Sequence, residues 1–168
     1  MRRITLITTG GTIEKTFNED SGAMENRRSV VHRMLRRLRL EETEVCVVEL
    51  MSKDSLYMTD DDRAAIAAAV REGLATSAGV VVLHGTDTLE KTGACLAEAF
   101  PAPGGAIILT GAMRPFEMTR SDAVQNLTEA LFAVGVLSPG VYCVTHGRAL
   151  KFPGVVKDRE RRTFIRRP

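Results

Sequence analysis

Apolar residues in this chain fall into short unbroken runs separated by stretches with three- and four-residue spacing. Runs rich in Val, Ile, Leu and Thr occupy residues 3–8, 43–50, 79–83, 105–110 and 140–145. Their length and continuity predict strands, several of them buried on both faces. Between them the spacing predicts helices. One begins at Thr59, with Asp60, Asp61 and Asp62 in its first turn and Ile66, Val70 and Leu74 on one stripe. A second begins at Thr88, carries Leu89, Gly93, Leu96, Ala97 and Phe100, and stops at Pro101. A third begins at Thr119, with Asp122 at the capping-box position. It carries Ala123, Leu127, Ala130, Leu131 and Val134, and Gly135 lies near its end.

Strands alternating with helices predict an α/β fold, three-layer α/β/α with a mostly parallel sheet and right-handed crossovers. A strand order of 2-1-3-4-5, taken as an assumption, brings the ends of the first and third strands together at the switch point, where such sheets bind ligands. Residues 10–27 have no periodicity and read as a long loop beside a strand end, a candidate lid. Residues 148–168 resist assignment, apart from a turn at Phe152-Pro153-Gly154 and a short final strand near Phe164-Ile165.

With 168 residues, the chain fits one domain, 1–168. It is 44% hydrophobic and 26% charged with a net charge of +2, as globular proteins are. Aromatic content of 5% with no Trp argues against a platform that stacks nucleic-acid bases. Basic residues crowd Arg27–Arg39 and Lys157–Arg167. Asp158 and Glu160 interrupt the second cluster and no aromatic interleaves either, so both read as solvated faces, with no nucleic-acid partner. Cys46, Cys95 and Cys143 lie among apolar residues without metal-ligand spacing, as expected for reduced, buried thiols. Gly10-Gly11 breaks the first apolar run too early for a secretion signal, and no run is long enough to span a membrane. The expected compartment is the cytoplasm.

Three strand ends carry hydroxyls and carboxylates. The first runs into Thr8-Thr9-Gly10-Gly11-Thr12-Ile13, the second into Lys53-Asp54-Ser55, and the third into His84-Gly85-Thr86-Asp87-Thr88. The first lacks the endings of phosphate and dinucleotide loops. It offers a side-chain-poor approach ending in a hydroxyl, and a threonine nucleophile needs a base or an electrophilic environment. Each cluster alone also reads as a turn or a helix cap. Thr88 already serves as a cap, which leaves Thr86 and Asp87 less explained. Together the three clusters suggest hydroxyl-nucleophile chemistry on a small polar substrate.

Thr8–Ile13 and His84–Glu90 resemble the two signature motifs of the bacterial-type L-asparaginase family, and the short, single-domain L-asparaginases in particular. Thr110–Pro115 and Ser121–Leu127 extend the resemblance, which spans residues 4 to 157. It implies a single N-terminal-type domain, without a C-terminal one. It also implies hydrolysis of a side-chain amide, L-asparagine giving L-aspartate and ammonia. Thr12 would attack the amide carbon to form an acyl-enzyme that water then cleaves. Thr86, working with Asp87 and a lysine, would handle the proton or the catalytic water, and Asp87 would also hold the substrate α-ammonium. Gly11, Asp54, Ser55, Gly85, Thr86 and Asp87 would bind substrate. The lysine after the fifth strand is expected at Lys157, with Lys151 the weaker alternative. A homodimer or homotetramer is expected, with no cofactor and no metal.

Two departures accompany the resemblance. Short members carry a lid tyrosine five residues after the nucleophile, where this chain has Phe17. That leaves Glu14, Glu19 or a bound water to serve, or a low activity. Family members usually have Thr before the lysine, where this chain has Val156. The alternatives are a catalytically impaired amino-acid-binding or regulatory domain, and an amidase acting on glutamine or another amide. His32, His84 and His146 share no spacing. His84 is expected to orient backbone and His146 to serve a turn, Arg114-Pro115 and Asp122 to shape a loop, and Met113 and Met118 to fill gaps.

Overall fold

The computed structural model describes residues 1–167. Strands β1 (Arg2–Gly10), β4 (Thr43–Lys53), β5 (Gly79–Leu83), β6 (Ala106–Thr110) and β7 (Gly140–Thr145) are the five apolar runs. They are joined by β8 (Arg148–Lys151) in one sheet of order β4-β1-β5-β6-β7-β8. The first five are parallel and β8 turns back antiparallel on β7. Counted over the five expected strands, the order is the assumed one, and β1 and β5 are neighbours.

Alternate side chains along each strand enter opposite cores. Ile4, Leu6, Val81, Leu83, Ile108, Tyr142 and Val144 face one layer, packed on α1 (Val31–Leu35) and α4 (Ala123–Val134) through Met34, Leu127 and Leu131. Ile7, Val80, Val82, Ile107, Leu109, Val141 and Cys143 face the other, packed on α2 (Asp60–Thr76) and α3 (Leu89–Ala99) through Ile66, Val70, Leu89 and Leu96. Every residue of β5 and β6 is buried. Each fully buried aliphatic of this kind contributes about 1.5–3 kcal/mol.

Several elements differ from the sequence reading. Residues 10–27 are not irregular throughout: β2 (Thr16–Asn18) and β3 (Ala23–Glu25) form a hairpin that pairs Phe17 with Met24. The third helix starts at Ala123, four residues after Thr119, and the Asp122 side chain does not cap it. That carboxylate accepts hydrogen bonds from the amides of Met113 and Arg114 instead. Thr59 does form a capping box with Asp62. Thr88 stands at its N-cap, but its hydroxyl donates to the Ser55 carbonyl.

Of the cysteines only Cys143 is buried; Cys46 is half-buried and Cys95 exposed. Cys95 falls between the buried Gly93 and Leu96 on α3, off the inward stripe, so apolar neighbours in sequence did not mean burial. Met118, expected to fill a gap, is likewise exposed.

The last segment completes the second core. β9 (Val155–Asp158) pairs antiparallel with β10 (Thr163–Arg166). Phe152, Val155 and Phe164 are buried in the layer formed by α2 and α3. Gly93 is where this segment meets α3: a Cβ there would lie 2.0 Å from the Phe152 ring. Among the described residues no helix is long and apolar enough to cross a membrane.

Candidate active site at the carboxyl ends of the strands

The loops after β1, β4 and β5 are packed backbone against backbone. Gly11 has φ +77°, and a Cβ on it would lie 2.4 Å from Gly85 N and Cα. A Cβ on Gly85 would lie 2.5 Å from Ser55 Oγ. Glycine is required at both positions because the chains approach more closely than any side chain permits. The contact sets Thr12, Ser55 and Thr86, each one residue from it or part of it, around one crevice. Thr9 Oγ1 donating to Leu83 O at 2.7 Å ties β1 to β5 just beneath.

Thr12 begins a single 3-10 turn, Thr12–Glu14, whose buried Ile13 anchors it. Phe116 N donates to Ile13 O, and Asn26 Nδ2 donates to Gly11 O at 2.8 Å, so the turn is held from two other loops. Glu14 Oε2 accepts from Gly10 N and Oε1 from Ser29 Oγ. Burial pushes the Glu14 carboxyl up, against those bonds. Glu14 thus has both oxygens engaged in holding the loop, and Glu19 lies exposed in the hairpin turn. Phe17 is 56% exposed, with its amide donating to Glu117.

Lys157 comes from β9 and reaches the third motif. Its Nζ donates to Thr86 Oγ1 at 2.7 Å and to Asp87 Oδ1 at 2.9 Å. Its backbone amide donates to the Glu90 carboxylate, which orients the strand end. The Lys157 side chain is 12% exposed and Thr86 is buried. Arg159 Nη1 adds a second contact to Asp87 Oδ1 at 3.3 Å, from solvent. Lys151 does not take this position: it is exposed on β8, over the Tyr142 ring.

Asp54 is occupied. Lys15, at the base of the hairpin, donates to its Oδ2 at 2.8 Å, while Leu56 N donates to Oδ1. The Lys15 ammonium holds the Asp54 carboxyl below the usual carboxylate range. Ser55 Oγ is buried without a hydrogen-bond partner among the described residues. A buried hydroxyl left unpaired is costly, as polar groups kept for a ligand are.

Behind the crevice, His84 Nδ1 donates to Gly85 O at 2.8 Å and Nε2 accepts from Thr92 Oγ1 at 2.8 Å. Burial holds its imidazole down to about 4, so it is a neutral brace for the backbone, as expected. His146 has φ 51° in a turn, and its Nε2 meets Asp122 Oδ2 at 2.8 Å. Burial acts to raise the Asp122 carboxyl, but bonds from Met113 N, His146 and Arg114 N outweigh it and hold the group low. Asp122 and Arg114 therefore do shape the loop after β6.

The sequence reading did not identify Lys15, Asn26, Glu90 as a backbone anchor, or Arg159. Glu90 stood in a quoted motif; the others gave no signal because their partners are distant in sequence.

The family model described as Asparaginase, N-terminal, matches residues 3–163. Over 130 residues the chain is 38% identical to a glutamyl-tRNA(Gln) amidotransferase subunit of Pyrobaculum aerophilum, covering 77% of this chain and 31% of that protein. It is 35% identical over 94 residues to the L-asparaginase of Thermococcus kodakarensis, covering 56% of this chain and 29% of that one. The solved structure of the thermostable L-asparaginase from Thermococcus kodakarensis superposes with a TM-score of 0.82 at 27% identity, over 92% of this chain and 47% of that chain. L-asparaginase I from Vibrio cholerae superposes with a TM-score of 0.80 at 24% identity, over 98% and 51%, a likeness of fold. The chain spans less than a third of the length of these curated relatives and about half of these solved ones. From β1 to the start of β10 the chain belongs to the asparaginase family, through the fold of that family's N-terminal domain.

Proposed function

We propose that the chain hydrolyses the side-chain amide of L-asparagine through Thr12, with no metal or cofactor. One observation carries the reading: Lys157 Nζ bonds both Thr86 Oγ1 and Asp87 Oδ1, at the crevice that the Gly11–Gly85 contact closes.

The Thr12 Oγ attacks the amide carbon, and its proton passes to the departing nitrogen, which leaves as ammonia. Backbone N–H groups around Gly11–Thr12 and Gly85–Thr86 hold the developing oxyanion. An ester to Thr12 remains. Water then attacks the ester carbonyl, and its proton passes through the Thr86 hydroxyl, held in place by Lys157 Nζ, to Thr12 Oγ as the ester bond breaks and L-aspartate leaves. Asp87 and Asp54 meet the substrate α-ammonium, and Ser55 donates to its α-carboxylate. The unpaired Ser55 hydroxyl supports that role, and Lys15 would have to yield Asp54 or share it. We further propose a homodimer or homotetramer in the cytoplasm; the Campylobacter jejuni relative is titled a probable cytoplasmic L-asparaginase.

The 38% relative, named as a glutamyl-tRNA(Gln) amidotransferase component, favours a second reading in which the amide is that of glutamine. One extra methylene shifts selectivity only modestly unless polar contacts are misplaced, so both amides belong in one assay. The test of the mechanism is the intact mass of the Thr86→Ala variant mixed with L-asparagine. An acyl adduct on the peptide containing Thr12 is expected. An adduct elsewhere, or turnover unchanged by Thr12→Ala, overturns the mechanism.

A further inference from the structure

A cavity of about 350 Å3 adjoins the Lys157–Asp87 pair, lined by Met113, Arg114, Lys157, Arg159 and Arg162. Four of its five lining residues are cations, and they come from two segments, the loop after β6 and the β9–β10 hairpin. Of the carboxylates nearby, Asp87 and Asp122 are already engaged, while Glu160, in the same turn as Arg159 and Arg162, is exposed and forms no ion pair among the described residues. Asp87 is shared by Lys157 and Arg159, and Asp122 is turned to the amides of Met113 and Arg114 and to His146. Arg114 donates to the Thr119 carbonyl. Among the described residues, neither Arg114 nor Arg162 forms an ion pair. Asp158, across the hairpin, is paired with Arg161.

We propose that this cavity is an oxyanion subsite, taking a carboxylate or phosphate group between the Arg114, Arg159 and Arg162 guanidiniums. Three planar forks around one hollow match oxyanion geometry better than a single α-carboxylate requires. Arg159 links the subsite to the reaction centre, because an anion drawing it away would loosen its hold on Asp87. The group has two sources: a free oxyanion, or a second acidic group on the amide substrate itself. Only the second rests on the hydrolase reading.

Titration calorimetry of the full chain with inorganic phosphate at low ionic strength tests the subsite. One phosphate should bind, and Arg114→Gln/Arg162→Gln should weaken it by about tenfold or more. Arg162→Gln alone, at an exposed turn, is the second variant and should weaken it in the same direction, while Arg162→Lys restores part of the affinity. No phosphate binding by the wild-type chain, or equal binding by the variants, overturns the proposal. Ammonia release is then compared for L-asparagine and asparaginyl-glutamate. Loss of a preference for the second in the double variant, with L-asparagine turnover unchanged, assigns the group to the substrate. Phosphate binding without that preference assigns it to a free oxyanion. Phosphate binding without ammonia from either amide upholds the subsite and removes the hydrolase reading alone.

Discussion

Lys157 and Thr86, 71 residues apart in the chain, meet at 2.7 Å, with Asp87 sharing the lysine at 2.9 Å. The lysine arrives there because Phe152, Val155 and Phe164 bury the strand that carries it, and because Glu90 accepts its backbone amide. With Nζ donating to Thr86 Oγ1, the Thr86 hydroxyl proton is directed away from the lysine. Lys157→Met should therefore lower kcat by about 10²–10⁴-fold, the contribution of a positioned acid-base group. Its melting temperature should move little, since the anchoring residues remain. Kinetics beside a thermal melt check this; full activity would exclude the lysine from the mechanism.

The Gly11–Gly85 contact predicts a sharp positional contrast among left-handed glycines. Gly11→Ala combines positive φ with a Cβ 2.4 Å from backbone and should cost about 2 kcal/mol or more, together with activity. Gly22→Ala has the same sign of φ but nothing within 4 Å, and should cost about 1 kcal/mol with activity kept. Denaturant melts of the two variants measure the difference.

His84 gives the acid limb of stability a definite sign. Its folded value of about 4 lies below the ordinary 6.5. Between these values the unfolded chain holds the extra proton. Stability from His84 is therefore complete above about pH 6.5 and is lost as pH falls toward 4, by about 3 kcal/mol in all. His84→Gln should flatten stability over that window in a pH series of melts, at a constant cost elsewhere from the altered bonds to Gly85 and Thr92.

Phe17→Tyr supplies a lid hydroxyl where short asparaginases carry one. The ring is more than half exposed, so stability should change by less than about 0.5 kcal/mol. Under the proposed mechanism kcat for L-asparagine should rise by about tenfold. An unchanged rate would mean that Thr12 is activated from another direction.

The core sheet was legible because β5, β6 and β7 are buried throughout, which leaves an unbroken apolar run in the sequence. β8 and the hairpin β2–β3 were not, because β8 is largely exposed, no residue of the hairpin is fully buried, and neither gives a period. The third helix was misplaced at its start because Asp122, a cap by residue type, serves two loop amides instead. At the site, the motif residues could be named, but Lys15 on Asp54 and Arg159 on Asp87 join segments 39 and 72 residues apart. Nothing local encodes such pairs.

The most direct measurement is ammonia release from L-asparagine, run with L-glutamine in parallel and Thr12→Ala as the control. The account predicts turnover of L-asparagine that disappears in Thr12→Ala while the variant still folds. Absence of turnover with either amide, while L-asparagine raises the melting temperature of the wild-type chain, would contradict it and identify an amino-acid-binding domain on an asparaginase frame.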